Sequence, residues 1–484
     1  MTDRNETYRR LRVQYPVFVY EAYHYEEGPD GLRVWFDFSM GDVVFHPTAT
    51  VERRPFLDFG LGAEVLDRIV FDIGMAELVS YWKCACPPMV EVRCGSLTDS
   101  EKAFWCKLYW NGLGEFYYTN GISETPEAFM NVECGMGNEE INGASNNFSS
   151  RTPRSSRSSY LVPVGGGKDS VVTLELLRRA GKTIRPLIMN PRGATVECAR
   201  VAGFAMDEVL VIRRTIDPTL LELNSKGYLN GHTPFSAMLA FYTRLASALS
   251  GIPNVALSNE NSANESTVVG SYVNHQYSKS LEFEDDFRDY VSLTPQPPLL
   301  EREGEKGVSN SPLLAGEGLG VRPFNYFSFL RPLSELQIAM LFSRFTAYHD
   351  VFRSCNVGSK QDIWCGHCAK CLFAYIILSP FIEPSRLNQI FGKSMLDDTT
   401  LRTEFDQLRG AAATKPFDCV GTVGEVNQAL SMAVERWYQA GRRPALLKDW
   451  TTSTIGPIDS ISPIGNLTTE ERQILQQACT EKNN

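Results

Sequence analysis

A short apolar run, Tyr160-Leu-Val-Pro-Val, leads at once into Gly165-Gly-Gly-Lys-Asp-Ser and then into helical spacing from about Ser170 to Ala180. No other feature of the 484 residues constrains the fold as much. Successive glycines let the backbone turn sharply and bring its N–H groups close to an anion, and the helix that follows points its positive end at the same place. The alternation then continues. Ile184-Arg-Pro-Leu-Ile-Met-Asn reads as a second strand, residues 195–203 as a helix, Glu208-Val-Leu-Val-Ile as a third strand and Asn254-Val-Ala-Leu-Ser as a fourth. Thr233 and Pro234 supply an N-cap and a first-turn proline for a helix that runs to Ser250 and stops at Gly251. Strands alternating with helices at this spacing predict an α/β domain with a parallel sheet covered on both faces.

Upstream the pattern differs. Residues 8–50 read as strands, with Tyr15-Pro-Val-Phe-Val-Tyr-Glu-Ala-Tyr and Leu32-Arg-Val-Trp-Phe-Asp-Phe joined through a turn at Gly28-Pro-Asp-Gly. Val65 to Trp82 has helical spacing, and Val90-Glu-Val-Arg-Cys returns to strand character. Ser145–Ser159 is almost all serine, arginine and other polar residues, and buries too little apolar area to order itself. A second foreign stretch repeats Pro298-Leu-Leu-Glu-Arg-Glu-Gly imperfectly as Pro312-Leu-Leu-Ala-Gly-Glu-Gly and resembles translated intergenic repeats; no chemistry is assigned to it. These breaks divide the chain into an N-terminal α+β domain (1–140), a Ser/Arg linker (141–159), the first part of the nucleotide domain (160–292), a repeat-like insertion (293–322), the continuation of that domain (323–395) and a helical C-terminal segment (396–484).

Forty-seven basic residues against 57 acidic ones leave a net charge of −10, which weighs against nucleic acid or an anionic membrane as partner. The longest apolar run, near Phe373–Leu378, falls far short of the roughly 18 residues a membrane span needs, and the polar N-terminus leads into no signal core. The expected location is the cytoplasm. Of 12 cysteines, eight (Cys84, Cys86, Cys94, Cys106, Cys134, Cys198, Cys419, Cys479) sit among apolar neighbours and read as small buried hydrophobes. The other four are clustered. Cys355, Cys365, Cys368 and Cys371 follow C-x9-C-x2-C-x2-C, and four thiolates so spaced in a reducing compartment predict one closed, structural Zn²⁺ site. His367 lies inside the cluster, but its adjacency to Cys365 and Cys368 makes it a poorer ligand.

The glycine loop is neither a Walker A sequence, because Asp169 separates Lys168 from Ser170, nor a GxGxxG fingerprint. It resembles the SGGxDS loop of the PP-loop ATP pyrophosphatases, with Gly165 in place of the serine. The resemblance implies that Gly165, Gly166, Gly167, Lys168, Asp169 and Ser170 cradle the phosphates of ATP, with Asp169 near Mg²⁺. Asn190 at the end of the second strand, and Ser258 and Asn259 at the end of the fourth, are expected to bind the same nucleotide, since ligands collect at the carboxyl ends of parallel strands. Taken together, this loop, Ser258-Asn-Glu-Asn-Ser-Ala-Asn-Glu, Val273-Asn-His-Gln-Tyr-Ser-Lys-Ser, Tyr81-Trp-Lys-Cys-Ala-Cys-Pro-Pro and Trp364-Cys-Gly-His-Cys-Ala-Lys-Cys resemble the MurL family.

That resemblance implies an isomerase of peptidoglycan precursor synthesis: ATP-dependent inversion of the terminal L-glutamate of UDP-MurNAc-L-Ala-L-Glu through an acyl-adenylate, with release of AMP and diphosphate. Lys168 and Asp169 would serve the leaving diphosphate. For proton transfer the chemistry favours His275 and Lys279, with Glu260 as third choice, because an imidazole or a partly desolvated lysine titrates near neutrality. Rival readings are another PP-loop adenylating enzyme, such as a 7-cyano-7-deazaguanine synthase or a tRNA-modifying ligase, and a non-catalytic zinc-stabilised interaction module. The long N-terminal domain and negative charge oppose the first, and the intact Lys168-Asp169-Ser170 opposes the second.

Overall fold

The structure is a computed structural model that describes residues 4–134, 158–264, 274, 276–293, 324–448, 450–452 and 455–481. Residues 141–157 of the Ser/Arg stretch, 294–322 of the repeat-like insertion, and His275 lie outside the described residues.

The chain opens with a helix, Arg4–Gln14, and not with a strand. Tyr8 and Leu11, three residues apart, are buried along it, which is helical spacing; the β-rich stretch that follows masked this in the sequence. Strands β1 (Val17–Gly28), β2 (Gly31–Met40), β3 (Val43–Phe45) and β4 (Thr48–Glu52) form antiparallel pairs, with β1 and β2 joined across the Gly28–Gly31 turn as expected. β5 (Met89–Val92) and β6 (Asn131–Cys134) add in parallel beyond β1. The predicted alternation then appears as β7 (Ser159–Pro163), β8 (Thr183–Met189), β9 (Leu210–Arg214), β10 (Asn254–Leu257) and β11 (Asn325–Ser328), all parallel to one another. Antiparallel pairing of β4 with β9, with Val51 opposite Ile212, joins both sets into one mixed, mostly parallel sheet in the order β11-β10-β7-β8-β9-β4-β2-β1-β5-β6, with β3 beside β2.

Side chains alternate across the parallel strands into two cores. Leu161, Leu187, Leu210, Ile212 and Val255 pack beneath helices Ala63–Trp82 and Phe235–Ser250. Tyr160, Val162, Ile188, Val211 and Ala256 face the other way, toward helices Lys168–Arg179, Glu335–Ser343, Ala369–Leu378 and Val423–Gln439. A strand buried on both faces has to be apolar at every position, which is why Tyr160-Leu-Val-Pro-Val lacks the alternation of a half-exposed strand. The helix after Pro234 begins at Phe235, with Pro234 itself at the N-cap. Thr233 does not cap it; its hydroxyl accepts a hydrogen bond from Lys83. The same helix ends at Gly251 in a left-handed conformation (φ 69°). Among the described residues no helix is long and apolar enough to cross a membrane.

Strand order positions the site. The chain runs β7, β8, β9 in one direction, then returns to lay β10 on the other side of β7. Connections leaving β7 and β10 therefore diverge, and a crevice opens beyond their carboxyl ends, where open α/β sheets take ligands.

Candidate active site

A cleft of about 570 Å³ fills that crevice. Gly165, Gly167, Asp169 and Ser170 line it from the β7 loop, and Leu257, Ser258 and Asn259 from the end of β10. Asn190, Arg192 and Thr195 approach from the end of β8, and Lys279, Ser354, Asn356, Lys370 and Cys419 complete the wall. Gly165 and Cys419, about 250 positions apart, thus meet at one switch point.

The loop's shape follows from its sequence. Gly166 has φ +81°, and a Cβ there would lie 3.0 Å from the Ala194 backbone and side chain and from the Thr195 nitrogen, so only glycine fits. Its carbonyl accepts from the Arg353 backbone N–H at 2.8 Å, which ties the loop to the segment before the cysteine cluster. Gly165 has nothing within 4 Å of a notional Cβ, so the position where related loops carry serine has room for one. Gly167 is the N-cap of helix Lys168–Arg179, and Ser170 Oγ donates back to the Gly167 carbonyl at 3.0 Å. No side chain caps this helix, so its first N–H groups are directed at whatever occupies the cleft.

Lys168 is buried beside the cleft, its Nζ 2.5 Å from Asp169 Oδ1 and hydrogen-bonded to Glu335 Oε2. Burial alone would lower the lysine, but the two carboxylates outweigh it and hold the ammonium well above its ordinary range. Burial would raise Asp169; Lys168, helped by Lys370 and Lys279, holds its carboxyl below the ordinary range instead. Glu335 bears the consequence. Burial, with Asp169 and Glu260 adding to it, pushes Glu335 up to about 8 against the pull of Lys168. Asp169 is therefore the ionised carboxylate that faces the cleft, and Glu335 the one that shares a proton. Sequence reasoning missed Glu335, whose local signal, Ser334-Glu-Leu-Gln, is that of a capping box and nothing more.

The other residues expected from sequence divide. Ser258 Oγ lies 2.8 Å from Thr173 Oγ1, and Asn259 donates to Ser328 Oγ at 3.1 Å. Asn190 lines the cleft in a left-handed conformation (φ 51°), with its amide engaged by the Arg214 backbone, accepting at 2.7 Å and donating at 3.0 Å. Glu260 is buried and accepts from Ser262 Oγ at 3.1 Å. Lys279 reaches the cleft and donates to Cys419 Sγ at 3.1 Å. Cys419 was expected to be a small buried hydrophobe; it lines the cleft instead, half-buried on the segment that precedes helix Val423–Gln439.

Cys355, Cys365, Cys368 and Cys371 converge with all four sulfurs within 4.8 Å of one another. Cys355 Sγ is 3.9 Å from Cys368 Sγ, and Cys365 Sγ is 3.7 Å from Cys371 Sγ. A tetrahedron of thiolates around Zn²⁺ has edges of about 3.8 Å, so the cluster fits that ion with no open position. His367 instead has Nδ1 2.9 Å from the Cys365 carbonyl. Cys368 caps helix Ala369–Leu378, and that helix brings Lys370 to the cleft.

The sequence profile of the MurL N-terminal domain matches residues 10–296, and that of the MurL C-terminal domain matches residues 351–453. The chain is 35% identical over 451 residues to a UDP-N-acetyl-alpha-D-muramoyl-L-alanyl-L-glutamate epimerase of Salinispora tropica, covering 91% of this chain and 88% of the relative. It is 34% identical to a protein of the same name from a Micromonospora species (78% and 77% covered). A third of that name, from Xanthomonas oryzae pv. oryzae, is 32% identical (83% and 82% covered). No solved structure was found to match the chain.

Proposed function

The chain belongs to the MurL family, and from that premise we propose that it inverts the terminal L-glutamate of UDP-MurNAc-L-Ala-L-Glu to D-glutamate, using ATP and releasing AMP and diphosphate. The observation that carries the ATP part is the uncapped helix start behind Gly165–Gly167, opening into a cleft that also holds the ionised Asp169.

The chemistry needs activation. An α-proton beside a carboxylate is barely acidic, because its removal builds a second negative charge next to the first. Converting that carboxylate to an acyl-adenylate removes the charge and gives the departing proton's electrons a carbonyl to enter. The loop N–H groups and the helix start would hold the phosphates and favour charge on the leaving diphosphate. Asp169 would hold the Mg²⁺ that accompanies the triphosphate, and Lys168 would position Asp169. His275, Lys279 and Glu260 are our candidates for moving the α-proton. The thiolate cluster would hold a structural Zn²⁺ that supplies no chemistry to the substrate and keeps Lys370 and the Arg353 segment in place. ATP and a UDP-linked precursor are cytoplasmic reagents, and the cytoplasm is where the reaction would run.

Incubation with ATP, Mg²⁺ and UDP-MurNAc-L-Ala-L-Glu should give AMP, diphosphate and D-glutamate after hydrolysis of the product. Epimerisation without nucleotide, or AMP formation without inversion, would overturn the reading.

A further inference from the structure

We propose that Cys419 is a catalytic base of the epimerisation, acting on one face of the glutamate α-carbon as a thiolate paired with the Lys279 ammonium. The proposal rests on the adenylation reading above and names a group that it lacks.

Three observations converge. Cys419 and Lys279 both line the cleft that begins at the glycine loop, and they touch there, Nζ to Sγ at 3.1 Å. Next, the segment carrying the thiol is clamped on several sides: Phe417 packs on Tyr118 with ring centroids 5.2 Å apart, Asp418 accepts from Asn356, and the buried Val420 accepts through its carbonyl from Gln276 at 3.4 Å. A clamped cysteine presents its sulfur in one place. The third observation concerns the lysine. Burial alone would lower Lys279, but Cys419, Glu260 and Asp169 hold it above its ordinary range, so it enters the reaction as an ammonium, a group that can give a proton but cannot take one. A thiol against an ammonium is the arrangement that makes a thiolate available near neutrality. Lys279 is then the positioning and charge partner, and sulfur takes the proton.

The step balances. The Cα–H bond of the acyl-adenylate breaks, its electron pair moves into the activated carbonyl as an enolate, and the proton passes to Sγ to give a thiol. An acid in exchange with water protonates the opposite face, water then releases AMP, and the thiol returns its proton to solvent.

Two measurements test this. In D₂O, Cys419→Ser and Cys419→Ala should lose incorporation of deuterium at the glutamate α-carbon by at least ~100-fold, the scale of a lost general base, and both should still release diphosphate from ATP. Independently, alkylation of the Cys419 peptide by iodoacetamide at neutral pH, followed by mass spectrometry, should slow ~10-fold in Lys279→Gln as the thiolate fraction falls. Undiminished deuterium incorporation in both cysteine variants, or equal alkylation in the wild type and Lys279→Gln, would overturn the proposal. Wild-type protein that releases no diphosphate would sink the adenylation reading alone, and the alkylation result would still decide the thiolate pair.

Discussion

Lys168 and Glu335 are joined by a buried hydrogen bond that links the first turn of helix Lys168–Arg179 to the first turn of helix Glu335–Ser343. The same ammonium lies 2.5 Å from Asp169, so one cation serves two carboxylates, and only one of these faces the cleft. This competition sets the charge of the site. It leaves Asp169 ionised at the cleft and puts the cost of crowding on Glu335.

Removing the shared cation should therefore be worse than removing its buried partner. Lys168→Ala leaves the ionised Asp169 and the crowded Glu335 without the cation they share, and breaking a buried pair in this way costs about 3–5 kcal/mol. Adding Glu335→Gln to that variant should recover part of the loss. Urea denaturation of both single variants and the double variant checks this, and simple additivity would show that the two residues do not interact.

The pH dependence follows from Glu335. Its folded-state value, about 8, exceeds the ordinary 4.5, so the folded protein binds the proton more tightly than the unfolded chain. The resulting stability is fully present below about pH 4.5 and is lost as pH rises toward 8. Wild-type denaturation midpoints should fall across this window, and Glu335→Gln should flatten the slope. Parallel slopes in the two proteins would contradict the assignment.

At the cleft, Asp169→Asn keeps the shape and removes the charge. Diphosphate release should fall by at least ~100-fold, the scale of a lost electrostatic contact at developing charge, with circular dichroism unchanged. Near-wild-type turnover would remove Asp169 from the ATP chemistry.

The two neighbouring glycines should behave oppositely. Gly166→Ala forces a side chain into a left-handed conformation 3.0 Å from Ala194 and should destabilise by ~1–3 kcal/mol. Gly165→Ser meets open space and should leave the thermal midpoint within a degree or two. ATP affinity measured by calorimetry should drop for Gly166→Ala and hold or rise for Gly165→Ser.

For the cysteine cluster, metal analysis of protein purified without added zinc should find about one Zn²⁺ per chain. Cys368→Ser should lose the metal and melt earlier, since metal binding at such a site contributes directly to folding. A reduced, freshly purified protein with no metal and an unchanged melt in the variant would refute the site.

Much of this molecule is determined locally and is therefore visible in the sequence. Apolar strands buried on both faces, the glycines of the β7 loop and the C-x9-C-x2-C-x2-C spacing each depend on residues a few positions apart, so β7 to β10 and the convergence of the four cysteines could be read directly. The N-terminal helix was hidden because only Tyr8 and Leu11 are buried along it, too few to set a period against the strands that follow. The charge pattern of the site belongs to the tertiary structure alone. Glu335 lies 167 residues from Lys168, and Cys419 lies 140 residues from Lys279. No local pattern marks either pair, because what joins them is the return of the chain to the far side of β7, and strand order is decided by packing across the whole sheet.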